Sequence, residues 1–392
     1  MISIAQHFRL HRNVLFVIGL WPYNQSKFVK LQLILFLFVQ TSFIVFQLTS
    51  LITAECTIDL VIKILSTIFY FLFCVTHYIS FWINAYTVRG FVERLQHICN
   101  KLKDKNEIAI MKRYGSIAEN VTFFIMLFAV CCVFMLSLLP ILPWILGTFL
   151  FANESQPLYD IQIVTEYFVD KEKTFYLTLL HTYASLYIGV TAMVGGGMML
   201  IAYLIHICGL FSIASYRMEQ SLILNINEKP NLRNKKEIDK KIGHAVDVHR
   251  TAIELSEFFI SNFHGTFFCI IAMMVLCLSL NLYQISQSAL HQNIDECLFH
   301  LIFAIDMLIY SFIANYSGQE VIEHYNDIFS VAYSVQWYTA PVRIQKLILF
   351  LLERSCKNYG VRVGGLFITS LEGFATLFTT SISYFTVMYS TQ

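Results

Sequence analysis

The run VTFFIMLFAVCCVFMLSLLPILPWILGTFLF, residues 121–151, contains no charged side chain. A helix needs about 20 apolar residues to cross a bilayer, so this run is longer than one crossing requires. The whole chain agrees, because 57% of its 392 residues are apolar and 14% are charged. In soluble domains, about 45–50% of residues are apolar and about 25% are charged. The sequence therefore predicts a membrane protein.

Seven apolar runs follow one another along the chain. They cover residues 31–51, 62–84, 121–151, 175–213, 258–283, 297–316 and 363–389. One membrane-spanning helix in each run gives an all-α membrane protein with seven transmembrane helices. Pro140, Pro143 and the triplet Gly195–Gly197 are expected to loosen or kink the third and fourth helices.

Lys and Arg mark the predicted cytoplasmic side. The leader, residues 1–30, carries four Lys or Arg residues, and the link between the second and third spans carries seven. The 214–257 link carries eight and residues 317–362 carry five, which brings 24 of the 27 basic residues to one side. The N-terminus is therefore predicted to be cytoplasmic and the C-terminus extracellular. The sequon at Asn153 lies on the predicted outer side, and Cys56 and Cys297 could pair there.

The sequence lacks the common signatures of catalysis. It has no phosphate-binding Gly-rich loop, no HExxH or GxSxG motif and no Cys/His metal spacing. We therefore expect no enzyme activity, no cofactor and no nucleic-acid partner, and most cysteines are expected to be buried apolar residues. Two acids, Asp306 and Glu372, lie inside apolar runs. Such acids are functional candidates, but for Asp306 a hydrogen bond within the helix bundle is the favoured interpretation.

The C-terminal third carries short motifs in a fixed order. They are Phe312–Asn315 (FIAN), Ala332–Tyr338 (AYSVQWY), Gly364–Phe367 (GGLF), Ser370–Phe374 (SLEGF) and Ser383–Phe385 (SYF). Together they resemble the insect odorant receptor family. The early stretch GLWPYNQSK, residues 19–27, resembles the divergent tuning receptors of ants and other Hymenoptera rather than the coreceptor.

This resemblance implies an odorant-gated, non-selective cation channel subunit in the plasma membrane of an olfactory neuron dendrite. It implies a heterotetramer with the odorant receptor coreceptor, held by a cytoplasmic anchor, here residues 317–362. The resemblance also implies that the seventh helix is split into a cytoplasmic piece, about 340–357, and a pore-lining piece within 363–392. The fifth and sixth helices fall within 258–316. A chemoreceptor that signals through a partner without conducting remains the alternative.

The family resemblance places the odorant, a small volatile or cuticular compound, in the outer half of the subunit, within residues 31–213 and 297–310. A volatile molecule needs a closed, mainly apolar cavity with few polar groups. The candidates are Phe73, His77, Tyr78, Ser137, Trp144, Tyr187, Met193, Met198, Phe299, His300 and Phe303. Trp144 is preferred because the proline before it opens the helix. For each residue, ordinary helix packing is the alternative.

The last helix has two different faces at about 100° per residue. One stripe consists of Glu372, Thr376, Thr380, Ser383, Val387 and Thr391, and the opposite face consists of Phe367, Leu371, Phe374, Phe378, Ile382, Phe385 and Tyr389. The stripe predicts a pore lining with Glu372 at the inner mouth, and the family resemblance implies that Val387 and Thr391 form the gate. The aromatic face is expected to pack on its own subunit. The alternatives are helix packing through the hydroxyls and, for Glu372, a buried basic partner.

Trp337 and Tyr338 are predicted to contact the neighbouring subunit. They belong to a short segment with charged residues at its C-terminal end on the predicted cytoplasmic side, and large amphipathic side chains often anchor interfaces. A contact within the same subunit is the alternative.

Overall fold

A computed structural model describes residues 8–24, 26–53, 57–140, 163–169, 171–226, 232–334, 337–339, 342–355, 359–363 and 367–391. Its helices are α1 (Arg9–Val17), α2 (Lys27–Thr53), α3 (Ile58–Ile83), α4 (Ala85–Lys101), α5 (Lys105–Leu138), α6 (Lys171–Ile226), α7 (Leu232–Leu290), α8 (Ile294–Ser334), α9 (Val342–Ser355) and α10 (Leu371–Ser390). A 3-10 turn, Trp337–Thr339, precedes α9. The two-residue strands β1 (Arg362–Val363) and β2 (Phe367–Ile368) pair antiparallel before α10.

Within the described residues, six helices are long and apolar enough to cross a membrane: α2, α3, α5, α6, α7 and α8. They coincide with the first six apolar runs, and α10 coincides with the seventh. At about 1.5 Å per residue, the 20 residues of α10 extend about 30 Å. The all-α prediction is confirmed, apart from the short β1–β2 hairpin.

The helix ends differ from the ends of the apolar runs. α6 continues to Ile226 and α7 begins at Leu232, so most of the 214–257 link is helical. α10 begins at Leu371 rather than near residue 363, because the chain first forms β1 and β2. α5 ends at Leu138, two residues before Pro140, which has no N–H to donate to the helix.

α6 lies at the centre of the bundle, where it contacts α1, α2, α3, α5, α7 and α8. Its glycine triplet does not interrupt it, because α6 is continuous through Gly195–Gly197. A Cβ on the first glycine would lie 2.9 Å from Val14 of α1, and one on the second 3.2 Å from Phe81 of α3. One on the third would lie 2.6 Å from the Tyr310 hydroxyl of α8. The glycines thus allow three helices to approach α6 closely.

Buried apolar side chains form two clusters. The larger one, here called the bundle core, runs through the helices from α1 to α8 and reaches α10. The smaller one, here called the inner cluster, consists of Ala214, Met218, Ile242, Ala245, Ile328, Ala332, Ile344, Ile348, Leu351 and Leu352. It joins the C-terminal halves of α6 and α8 to α9 and the first part of α7, in the region where the anchor is predicted.

Not every cysteine in an apolar run is buried. Cys74, Cys208 and Cys277 are buried, but Cys131 and Cys269 are exposed on α5 and α7, contrary to expectation. Cys297 is partly buried, whereas its suggested partner Cys56 and the sequon at Asn153 lie outside the described residues.

Candidate functional site

Two predicted odorant residues lie one turn apart on α3. The rings of Phe73 and His77 are 4.8 Å apart, and both side chains are buried. Tyr310 of α8 packs its ring 5.3 Å from each of them, and its hydroxyl lies 3.0 Å from His77 Nε2. These residues therefore form a closely packed contact between α3 and α8.

The intramembrane acid Asp306 has a partner on another helix. The Tyr70 hydroxyl of α3 donates a hydrogen bond to Asp306 Oδ2 at 2.9 Å. Tyr70 also stacks on Phe303 with ring centroids 4.2 Å apart, and Phe299 lies edge-on to Phe303 at 4.7 Å. The hydrogen bond is the one that the favoured interpretation of Asp306 predicted, because an unpaired acid in hydrocarbon is expensive.

A cavity of about 20 Å³ borders Phe299 and Phe303. Its other lining residues are Leu136, Pro140, Ile163, Leu179, Thr182, Tyr183 and Leu186. This volume holds about one water molecule, so side chains must move before an odorant can enter. Four of these residues, Leu179, Thr182, Tyr183 and Leu186, belong to α6 and were not among the predicted odorant residues. They are spaced three or four residues apart along one face of the helix, and this periodicity could have identified them.

Several other predicted odorant residues make packing contacts elsewhere. Tyr78 donates a hydrogen bond to the Ile18 carbonyl at 2.9 Å, which ties α3 to the chain that follows α1. His300 Nδ1 lies 2.9 Å from Asn281 Oδ1 of α7. Met193 and Met198 are buried in α6.

Two of the predicted odorant residues, Ser137 of α5 and Tyr187 of α6, lie close together. The Ser137 hydroxyl donates to the Val133 carbonyl at 2.7 Å and lies 3.4 Å from the hydroxyl of Tyr187, which is half exposed. The preferred candidate, Trp144, lies outside the described residues.

The hydroxyl stripe of α10 is turned away from the rest of the chain. Thr380 is partly buried, and the other five members, Glu372, Thr376, Ser383, Val387 and Thr391, are exposed. The Thr376, Thr380 and Ser383 hydroxyls donate to the carbonyls four residues earlier at 2.9, 2.7 and 2.9 Å. Because these protons are engaged within the helix, the oxygens present acceptor lone pairs outside it.

Glu372 occupies the first turn of α10, which is capped by the Ser370 hydroxyl accepting from Gly373 N. A negative charge is favourable at a helix N-terminus. Among the described residues, the Glu372 side chain is exposed.

The packed side of α10 is not the predicted aromatic face. Gly373, Leu377 and Ser381 are buried on the side that meets α7 and α8. Phe378 and Tyr389 remain 37% and 47% exposed, and Phe374, Ile382 and Phe385 are partly buried. The predicted orientation is therefore wrong: α10 packs along a line between its hydroxyl stripe and its aromatic face.

Trp337 and Tyr338 have different surroundings. Trp337 is partly buried and packs against the inner cluster, which is a contact within one subunit. Tyr338 is 65% exposed and is available to a neighbour.

Among the described residues, no three His, Cys, Asp or Glu side chains are close enough together to hold a metal ion.

Two solved structures share this fold. They are the insect olfactory receptor OR5 from Machilis hrabei in complex with eugenol and the same receptor without it. Each has a TM-score of 0.80 and 16% sequence identity, and the alignments cover 99% of this chain and 99% and 98% of those chains. No curated protein matches by sequence. The sequence model of the family described as 7tm Odorant receptor matches residues 57–382, so the chain belongs to the odorant receptor family.

Proposed function

We propose that this chain is an odorant-gated, non-selective cation channel subunit in the plasma membrane of olfactory neurons. Its N-terminus is cytoplasmic and its C-terminus extracellular. The observation that carries the proposal is the exposed hydroxyl stripe of α10. Polar groups are unfavourable against lipid and favourable against water, so several such helices around an axis would enclose a conduction path.

The electrostatics of α10 favour cations. The stripe presents hydroxyl oxygens as acceptors, and the exposed Glu372 adds a negative charge at the inner end. Acidic rings and oxygen-lined walls attract cations in channels. In this proposal Val387, which is exposed near the outer end, contributes an apolar constriction, and Thr391 is a polar member of the same gate. The coreceptor supplies most of the remaining seal.

Cysteine substitution tests the pore. Thr380→Cys, Ser383→Cys and Val387→Cys are expected to react with a cationic methanethiosulfonate while a coreceptor agonist holds the channel open. Most of the current through the complexes should then be lost, because the added group blocks a water-filled path.

Phe378→Cys and Phe385→Cys, on the aromatic side, are the matched controls and should retain their current. The unsubstituted chain supplies the baseline, since Cys131 and Cys269 are exposed already. If the stripe variants and the aromatic-side variants retained their current equally, α10 would not line the pore. A receptor that signals through a partner would then be favoured.

The coreceptor is the proposed partner, and the α9 region is the proposed contact. Tyr338, Leu349 and Phe350 are exposed there on the surface of the inner cluster region, and large apolar side chains of this kind anchor interfaces. Trp337 supports them from within. Co-purification of Tyr338→Ala with the coreceptor tests the contact, which is refuted if the yield equals that of the unsubstituted chain.

The proposed odorant site is the cavity between α5, α6 and α8. It combines apolar walls with the hydroxyls of Thr182 and Tyr183, as expected for a small volatile ligand. It also borders Phe299 and Phe303, which connect through Tyr70 to Asp306. Ligand entry would therefore disturb the contact between α3 and α8.

Phe299→Leu is expected to shift the half-maximal concentration of activating odorants by about tenfold or more, since pocket volume changes of this size discriminate strongly. The measurement is odorant-evoked current, using a panel of volatile aromatics that includes eugenol. Currents evoked by a coreceptor agonist should be unchanged. Phe268→Leu, at an exposed position on α7, is the control. Identical odorant responses of both variants would place the site elsewhere.

A further inference from the structure

A second cavity lies at the base of α10, away from the proposed odorant site. It measures about 80 Å³, and Leu204 of α6, Phe267 and Met274 of α7, Ala314 of α8, Phe367 of β2 and Leu377 of α10 contribute to its mainly apolar wall. None of its lining residues borders the cavity at Phe299 and Phe303.

Motifs that are far apart in the sequence meet at this cavity. Asn315, from the first C-terminal motif, and Phe367, from the third, both line it. Gly373, from the fourth, lies against both of them, because a Cβ there would be 2.8 Å from the Phe367 ring and 3.2 Å from Asn315 Oδ1. Three of the five motifs that resemble the family thus converge on one small volume.

Two buried polar atoms of the cavity wall have no hydrogen-bond partner among the described residues. They are the Ser311 hydroxyl and Asn315 Oδ1, on side chains that are 5% and 3% exposed. Asn315 Nδ2 is engaged with the Ser311 carbonyl at 2.9 Å. Being four residues apart on α8, the two unpartnered groups lie on the same face of the helix. A buried polar group without a partner is unfavourable, so the site favours an occupant that supplies both missing bonds.

A single hydroxyl can supply both bonds, because it donates one hydrogen bond and accepts others. It would donate to Asn315 Oδ1 and accept from the Ser311 hydroxyl. The volume is about half that of an engineered cavity of ~150 Å³ that binds benzene, which leaves room for a chain of only two or three carbons. We propose that this cavity is a binding site for a short-chain alcohol.

The position of the site gives such a ligand access to the pore helix. An occupant touches Leu377 on the buried side of α10 and Phe367 in the hairpin that precedes it. It also touches Tyr310, whose hydroxyl is 3.0 Å from His77. A ligand shifts the equilibrium between two conformations by its difference in affinity for them. The alcohol would contact both α10 and the packing between α3 and α8, so it could shift a conformational change that involves either of them.

Binding of 2,2,2-trifluoroethanol to the full chain in nanodiscs, followed by fluorine NMR, tests the proposal. The unsubstituted chain should show saturable binding, and Ala314→Leu should abolish it by filling the cavity. Ser311→Ala should weaken it about threefold to tenfold, as expected for the loss of one hydrogen bond.

Ser317→Ala is the matched control. This serine is equally buried on the same helix, but its hydroxyl is already bonded to the Ile313 carbonyl at 2.8 Å and it does not line the cavity. Its affinity should equal that of the unsubstituted chain. If Ala314→Leu does not fold, the comparison of the two serine variants decides. Equal affinity of Ser311→Ala and Ser317→Ala, or only non-saturable partitioning into lipid, would overturn the proposal.

Discussion

Arg217→Ala is expected to destabilise the folded chain by about 3 kcal/mol, at the lower end of the range for breaking a buried ion pair. Arg217 of α6 binds Glu107 of α5 through two bonds, Nε to Oε1 at 2.6 Å and Nη2 to Oε2 at 2.8 Å. Glu107 is 6% exposed, so removing the guanidinium leaves its carboxylate buried and uncompensated. The lower end of the range applies because the Arg217 side chain is 22% exposed.

The apparent melting temperature of the purified chain measures this effect. Arg250 is the control, since it forms an ion pair of similar length, 2.7 Å, with Glu254 four residues later, but both side chains are largely exposed. Arg250→Ala should leave the melting temperature unchanged, as solvent screens such pairs. Arg217→Lys should fall between the two, because Lys cannot form the paired bonds of a guanidinium. Equal effects of the two alanine variants would contradict the prediction.

Gly318→Ala is expected to displace the β1–β2 hairpin and to abolish most of the current. A Cβ on this α8 residue would collide with both the side chain and the backbone of Thr369. Thr369 is held in place by its N–H, which donates to the Val361 carbonyl at 3.0 Å. It immediately precedes Ser370, the cap of α10. Overpacking of a close contact costs about 1–3 kcal/mol, and here the displaced backbone also sets the start of α10.

Gly265→Ala is the matched control for this substitution. Gly265 lies within α7, and a Cβ there would meet no atom within 4 Å. Alanine favours a helix over glycine by about 1 kcal/mol, so this variant should be at least as stable as the unsubstituted chain. The measurements are melting temperature and current evoked by a coreceptor agonist. A Gly318→Ala chain with normal values of both would show that the hairpin accommodates the methyl group.

The sequence predicted the helices better than their ends. Apolar runs identify the part of a helix that lipid or a core must cover, so they located α6 and α7. They could not show that α6 extends to Ile226, because the extension carries Arg217 and other polar residues. The packing role of the glycine triplet was missed for a related reason. Flexibility is a property of the residue, whereas the close approach of Val14, Phe81 and Tyr310 depends on the tertiary fold.

The candidate sites show the same difference between what the sequence pattern predicts and what the tertiary fold determines. Helical periodicity correctly separated the hydroxyls of α10 from its aromatic residues. It could not give the rotation of α10, which is determined by the close contact of Gly373 with the hairpin and α8. Aromatic composition also cannot distinguish a cavity wall from a helix contact. Phe303 borders empty space, whereas Phe73 packs against Tyr310, which is far away in the sequence.

The separation of the bundle core from the inner cluster has an evolutionary consequence. Substitutions at well-separated sites have nearly additive effects on stability, so mutations around Phe299 and Phe303 leave the packing of Ile328, Ile344 and Ile348 largely unchanged. A duplicated gene can therefore accumulate substitutions that change its odorant response around Phe299 and Phe303, while selection preserves the inner cluster. Under the function proposed above, this arrangement would allow a lineage to diversify its receptors while all of them remain compatible with the proposed partner.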